Sequence, residues 1–179
     1  MPPLLVAVDT DAPDATVSAD KDKLGINATT TVTVLFDEPV YGFANDGSDL
    51  IVVGLIGNFV GGNGSSTYTM TVTITEGIAD IESSPAIINA NQLTDLAGNS
   101  NDTISDALYD VDTTRPSVTI TTSTTTLSVN ETATLTFAWS EAVDDFDDVG
   151  DVTISTGTID SHQTPVSYTH LTLPTILLV

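Results

Sequence analysis

The chain repeats itself. Val8-Asp9-Thr10-Asp11-Ala12-Pro13 returns as Val111-Asp112-Thr113-Thr114-Arg115-Pro116, and at that constant offset of 103, without a gap, residues 8–46 match residues 111–149 at 13 of 39 positions. The matches include Leu24/Leu127, Asn27/Asn130, Glu38/Glu141, Val40/Val143 and Phe43/Phe146, with Val17/Ile120, Val34/Phe137 and Phe36/Trp139 as conservative pairs between them. A period near 100 residues is too long for a solenoid, whose units run to about 45 residues. It has the size of whole domains in tandem, so one unit must bury a core of its own within that span.

Inside the repeat the period is two. Val32, Val34 and Phe36 alternate with Thr31, Thr33 and Leu35, and Tyr68, Met70, Val72 and Ile74 alternate with Thr67, Thr69, Thr71, Thr73 and Thr75. Such runs are strands with one apolar face and one Thr-rich face in water. Gly, Asn and Ser clusters at 61–66 and 98–101 supply turns. The pattern predicts strands near 14–19, 30–37, 49–56, 57–61, 67–75, 78–89 and 103–111, and no helix. Seven short antiparallel strands in about 100 residues make an all-β, Ig-like Greek-key β-sandwich.

Charge narrows the function classes. The chain carries 3 basic and 25 acidic residues, a net charge of −22, so nothing neutralises the phosphates of a nucleic acid or anionic lipid headgroups. Asp outnumbers Glu 20 to 5, a bias that suits turns and oxygen-ligand cation loops more than helix surfaces. There is no cysteine, hence no disulfide framework and no thiolate metal site. The opening MPPLLVAVDT lacks a basic n-region, and the closing ILLV is far too short to span a bilayer. An export signal is expected elsewhere in a longer protein, and no membrane insertion is expected.

Three segments carry a resemblance: the openings DTDAP and DTTRP, the strand ends FDEPV and WSEAV, and LTDLAGNSND at 93–102. Together they resemble the bacterial Ig-like repeats of large biofilm-associated and RTX-type surface adhesins. The resemblance implies an extender module whose partners are neighbouring Ig-like modules of the same chain, an extracellular or bacterial cell-surface location, a role in cell adhesion or biofilm formation, and calcium at the module junctions. It implies an accessory module of a secreted polysaccharidase or protease as the alternative. The corresponding division is 1–8 as a remnant of a preceding module or linker, 9–111 as a complete sandwich, 112–164 as the first half of a second, truncated module, and 165–179 as a non-native tail. The tail PVSYTHLTLPTILLV resembles adapter read-through and departs from the repeat.

No enzyme is expected. His162 and His170 are the only histidines, both in or beside that tail, and Asp144, Asp145, Asp147 and Asp148 form an acidic loop, not a placed carboxylate pair. Calcium is the stronger candidate. If strands alternate in direction, the loops after the second, fourth and sixth share the pole where the chain arrives. That pole would gather Asp9, Asp11, Glu38, Asp95, Asn99 and Asp102, and in the second copy Asp110, Asp112, Glu141, Asp144 and Asp145. Ca²⁺ takes six to eight hard oxygen ligands in flexible geometry, and several loops are able to supply them. The competing reading is that these Asp and Asn residues only make turns and caps. Trp139 and Phe36 are expected in the core, and the Asn-x-Thr/Ser sites at Asn27, Asn63, Asn101 and Asn130 are expected by chance in so Thr-rich a chain.

Overall fold

The computed structural model describes residues 8–44, 48–144, 146, 151–155, 158–161 and 168–177, the last two stretches by their backbone. It divides into two compact units, Met1–Thr114 and Arg115–Val179, and every described regular element is a strand.

The first unit is a sandwich. One sheet has the order β1-β3-β6-β5 and is formed by β1 (Ala15–Ala19), β3 (Thr29–Val40), β5 (Leu55–Val60) and β6 (Ser65–Thr73). The other has the order β4-β7-β8, from β4 (Leu50–Ile51), β7 (Pro85–Ile88) and β8 (Ile104–Ala107). A short parallel pair, β2 (Lys23–Leu24) with β9 (Asp110–Val111), closes one side. The alternation seen in the sequence sets the register. Val32 faces Met70 and Val34 faces Tyr68 on the core side, while Thr31 faces Thr71 and Thr33 faces Thr69 on the outer side. A slip by one residue would expose every core side chain. Against this sheet pack Leu50, Ala86, Ile88 and Ile104 of the second, with Leu24, Tyr109 and Val111. Phe36, Phe43, Phe59 and Tyr68 form one aromatic cluster, with ring centroids 4.9–5.9 Å apart. Phe36 is in the core, as expected.

Three expected strands are corrected. Residues 49–56 do not form one strand: β4 and the start of β5 belong to different sheets, and the chain crosses between them at Gly54. There φ is +131° and a Cβ would lie 2.5 Å from Val72 Cγ1. Residues 57–61 are the continuation of β5, not a strand of their own. The expected strand 78–89 shortens to β7, preceded by an isolated bridge between Ile81 and Val111.

The β3/β6 ladder is broken by a wide bulge. Leu35 faces Thr67 and Val40 faces Ser65, so residues 36–39 of β3 stand against residue 66 alone. Pro39, with no N–H to give, lies in this stretch. The bulge lifts Asp37 and Glu38 off the ladder at the pole where β3 ends.

In the second unit β10 (Val118–Thr122), β11 (Thr132–Val143), β12 (Thr158–Ser161) and β13 (Tyr168–Leu177) form one sheet of order β10-β11-β13-β12, the order of β1-β3-β6-β5. The registers agree too. Ile120 faces Phe137 as Val17 faces Val34, and Val143 faces Tyr168 as Val40 faces Ser65, each displaced by the repeat length. The second copy therefore does not break off before a strand equivalent to β6, contrary to expectation. The run Tyr168–Leu177 is rich in Thr, Leu and Ile, a strand-competent composition whatever the origin of residues 165–179. Its register slips between Leu173 and Ile176, across Pro174, where the ladder loses a donor. Among the described residues this unit has no second sheet, and the consequence shows at its core positions. Val17 is 4% exposed, whereas its counterpart Ile120 is 56% exposed. Trp139 is half-buried and stacks edge-on against Phe146 at 5.2 Å.

Candidate metal centre at the N-terminal pole

Three segments of the first unit meet at one pole: the stretch before β1, the β3 bulge and the loop between β7 and β8. The last is held by its own side chains. Asp95 Oδ1 accepts the N–H groups of Gly98 at 2.6 Å and Asn99 at 2.8 Å, a turn that needs the positive φ of Gly98, +93°. Asn101 is 1% exposed. Its Oδ1 accepts from Gln92 and Leu93 N–H at 3.0 and 3.1 Å, and its Nδ2 donates to the Asn89 and Asp102 carbonyls at 2.8 and 2.7 Å. Expected as part of a turn cluster and as a chance modification motif, Asn101 is the pin of this loop. Its burial among backbone groups has no signature in sequence. An isolated bridge, Tyr41 N–H to Thr94 carbonyl at 2.8 Å and the reverse at 3.0 Å, fastens the loop to the end of β3.

That fastening brings carboxylates together. Oxygens of Asp9, Glu38 and Asp95 all lie within 4.8 Å of one another, with Asp9 exposed, Glu38 half-buried and Asp95 buried. Oxygens bound to one Ca²⁺ at 2.3–2.6 Å are separated by at most about 5 Å, whereas Mg²⁺ at about 2.0–2.1 Å requires about 4.2 Å or less. Separations of that order are close to those that one bridging cation requires. Its electrostatics are unequal. Burial, then the charges of Asp95, Asp9, Asp37 and Asp11, push the Glu38 carboxyl above its ordinary range. Burial also raises Asp95, but hydrogen bonds from the Asn99 side chain and the backbone of Asn99, Gly98 and Ala97 outweigh it and hold that carboxyl below the usual range.

The other expected ligands stand apart. Asp11 is exposed and acts on Glu38 through its charge, while its N–H donates to Asp9 Oδ1 at 3.2 Å. Asn99 presents its nitrogen, not its oxygen: Nδ2 donates to Asp95 Oδ2 at 2.7 Å and to the Asp9 carbonyl at 3.3 Å. It positions the group and is no ligand in this geometry. Asp102 is exposed beside Ala12, Pro13 and Asp14. Asp110 and Asp112 lie at the far end of the first unit, where Asp110 Oδ1 accepts the Ser83 N–H at 2.8 Å and Asp112 pairs with Lys23 at 3.0 Å. In the second unit Glu141 sits in a β11 bulge equivalent to that of β3, and Asp144 follows the strand. Among the described residues only Asp9, Glu38 and Asp95 form a three-acid group. Asp145, Asp147, Asp148 and His162 lie outside the described residues.

The bacterial Ig-like domain family matches residues 9–111 and again 112–175. No curated protein and no solved structure matches the chain. The two matched segments meet at Asp112, where the repeat begins again, and they cover most of the chain. Domains of this type are non-catalytic and commonly occur in extracellular or surface proteins. The chain belongs to the bacterial Ig-like domain family, in two consecutive copies.

Proposed function

We propose that this chain is an extender segment of a bacterial surface or secreted adhesin, stiffened by Ca²⁺ at module junctions and supporting adhesion or biofilm formation. The observation that carries the reading is the meeting of Asp9, from the linker, with Glu38 and Asp95 of the module it leads into. A cation bound there ties linker to module. Without one, like charges repel, and at physiological salt screening reaches only about 8 Å, beyond the separation within the group. Its partners are neighbouring modules, and no catalytic role is assigned. A catalytic domain in the parent reading frame would instead identify an accessory module of a secreted hydrolase.

Thermal melting of the full chain during titration with Ca²⁺ and Mg²⁺ tests this. Extracellular modules bind Ca²⁺ with Kd on the order of 10⁻⁴–10⁻³ M. At tenfold excess over Kd the first unit gains about 1.4 kcal/mol by mass action, or about 6–11 °C for a domain of this size, while Mg²⁺ does much less. Glu38→Gln should raise the calcium-free melting temperature and abolish most of the calcium response. The sign follows from the raised carboxyl. Ionised Glu38 opposes folding, and that cost appears as pH climbs through the ordinary carboxylate range, so it is in force at neutral pH. A calcium response that survives Glu38→Gln intact would exclude this site.

A further inference from the structure

The junction has a second half, at the opposite end of the first unit, built without any need for a cation. Asp80 is exposed in the segment between β6 and β7. Its Oδ1 accepts the Thr113 N–H at 2.6 Å, and its Oδ2 accepts the Thr114 hydroxyl. The Thr113 hydroxyl lies 2.6 Å from the Ile78 carbonyl and 3.0 Å from Asp80 Oδ1. Thr113 and Thr114 belong to the DTTRP segment, the repeat of the DTDAP that precedes β1. Just before them Asp112 N–H donates to the Leu24 carbonyl at 2.9 Å.

We propose that Asp80 is a metal-independent latch, holding the outgoing linker to the module it leaves through Thr113 and Thr114. In the outgoing DTTRP segment Asp112, through Lys23, and Thr113 and Thr114, through Asp80, all hold to the module they leave. Three observations support the latch. Both oxygens of Asp80 are engaged by hydroxyl or amide donors from the linker, which leaves the carboxylate little capacity for an ion. Those same bonds, Thr114 first and then Thr113, hold the Asp80 carboxyl below its ordinary range, so it stays ionised and accepting until pH falls below that range. The contacts also join positions more than 30 residues apart in sequence, so they are not an incidental local turn. With the latch closed, the stretch between it and β10 is 115–117, which includes Pro116 with its fixed φ. The latch rests on the extender reading for its purpose, but its chemistry is independent of calcium.

Hydrogen exchange of the full chain tests it, in Ca²⁺ and in chelator, for wild type, Asp80→Ala and Thr113→Val. The expected result is at least tenfold faster exchange of the Thr113 amide in Asp80→Ala under both conditions. The Ile81 and Val111 amides, which bond each other's carbonyls at 2.9 and 2.8 Å, should stay protected. Thr113→Val keeps the amide donor and should show a smaller acceleration. Unchanged Thr113 exchange in Asp80→Ala overturns the latch. So does protection that exists only with calcium, which would place Thr113 under the metal. Loss of protection at Ile81 and Val111 as well would make Asp80 a general support of that edge, and it also overturns the proposal. A latch that persists in a chain with no calcium response sinks the metal reading alone.

Discussion

Gly61→Ala should unfold the first unit at temperatures well below wild type. Gly61 follows β5 with φ at +141°, and an added Cβ would stand 2.1 Å from Tyr68 Cδ1 and 2.6 Å from Cε1. The ring has no room to retreat. Tyr68 is fully buried, its hydroxyl donates to the Gly62 carbonyl at 2.8 Å, and Phe36, Phe43 and Phe59 pack around it. Overpacking of about 1–3 kcal/mol adds to a backbone strain of similar size for an L-residue at that φ. The sum is about 2–6 kcal/mol, which lowers the melting temperature by roughly 10 °C or more. The neighbouring Gly62 is the control. No atom lies within 4 Å of where its Cβ would be, so Gly62→Ala should change stability by only about 0.5 kcal/mol. Equal melting temperatures for the two variants would mean that β5 does not lie against Tyr68 in this way.

Residues 112–179 expressed alone should give no cooperative melt. In the first unit the face carrying Val17, Val34 and Phe36 is covered by β4, β7 and β8. The second has the matching four-stranded sheet, but among its described residues only Phe146 and Val152, over Phe137, cover that face. Exposure of Ile120, at 56% against 4% for its counterpart Val17, is the result. A single sheet with an open apolar face and free edges associates with itself. Dye binding to exposed apolar surface and aggregation at micromolar concentration are the expected readouts. A soluble monomer of 112–179 with a sharp transition would refute the reading.

How far these features were legible depended on whether a local rule reported them. Val32, Val34, Tyr68 and Met70 were legible because alternation puts every second residue on one face, and the repeat placed Ile120 and Phe137 in the same register. The pole at which Asp9, Glu38 and Asp95 meet followed from strand direction alone. Residues 49–61 were misread because Leu50–Val53 and Leu55–Ile56 form an apolar run without a period. Only the steric demand at Gly54 shows that the chain changes sheets there. The structure gathers only three of the candidate ligands, Asp9, Glu38 and Asp95, for a related reason. Sequence shows which residues carry oxygen, but not which of those oxygens already accept backbone or side-chain hydrogens. Asp112 and Asp110 already engage Lys23 and Ser83, partners far away along the chain. Asn99 was the right residue with the wrong atom facing the group.

The short pairing of β2 with β9 bears on what happens when such a chain is pulled. Its strands run parallel, with Lys23 beside Asp110 and Leu24 beside Val111, and one lies near the start of the module, the other at its end. Tension applied through the two linkers draws them past each other lengthwise. The bonds from Asp110 N–H to the Asp22 carbonyl and from Asp112 N–H to the Leu24 carbonyl, at 2.8 and 2.9 Å, are then loaded together in shear, not peeled in turn. The Lys23–Asp112 ion pair and the two Ile81–Val111 bonds share that load. On the extender reading proposed above, a module anchored this way is expected to resist extension up to a threshold force and then to yield in a single step.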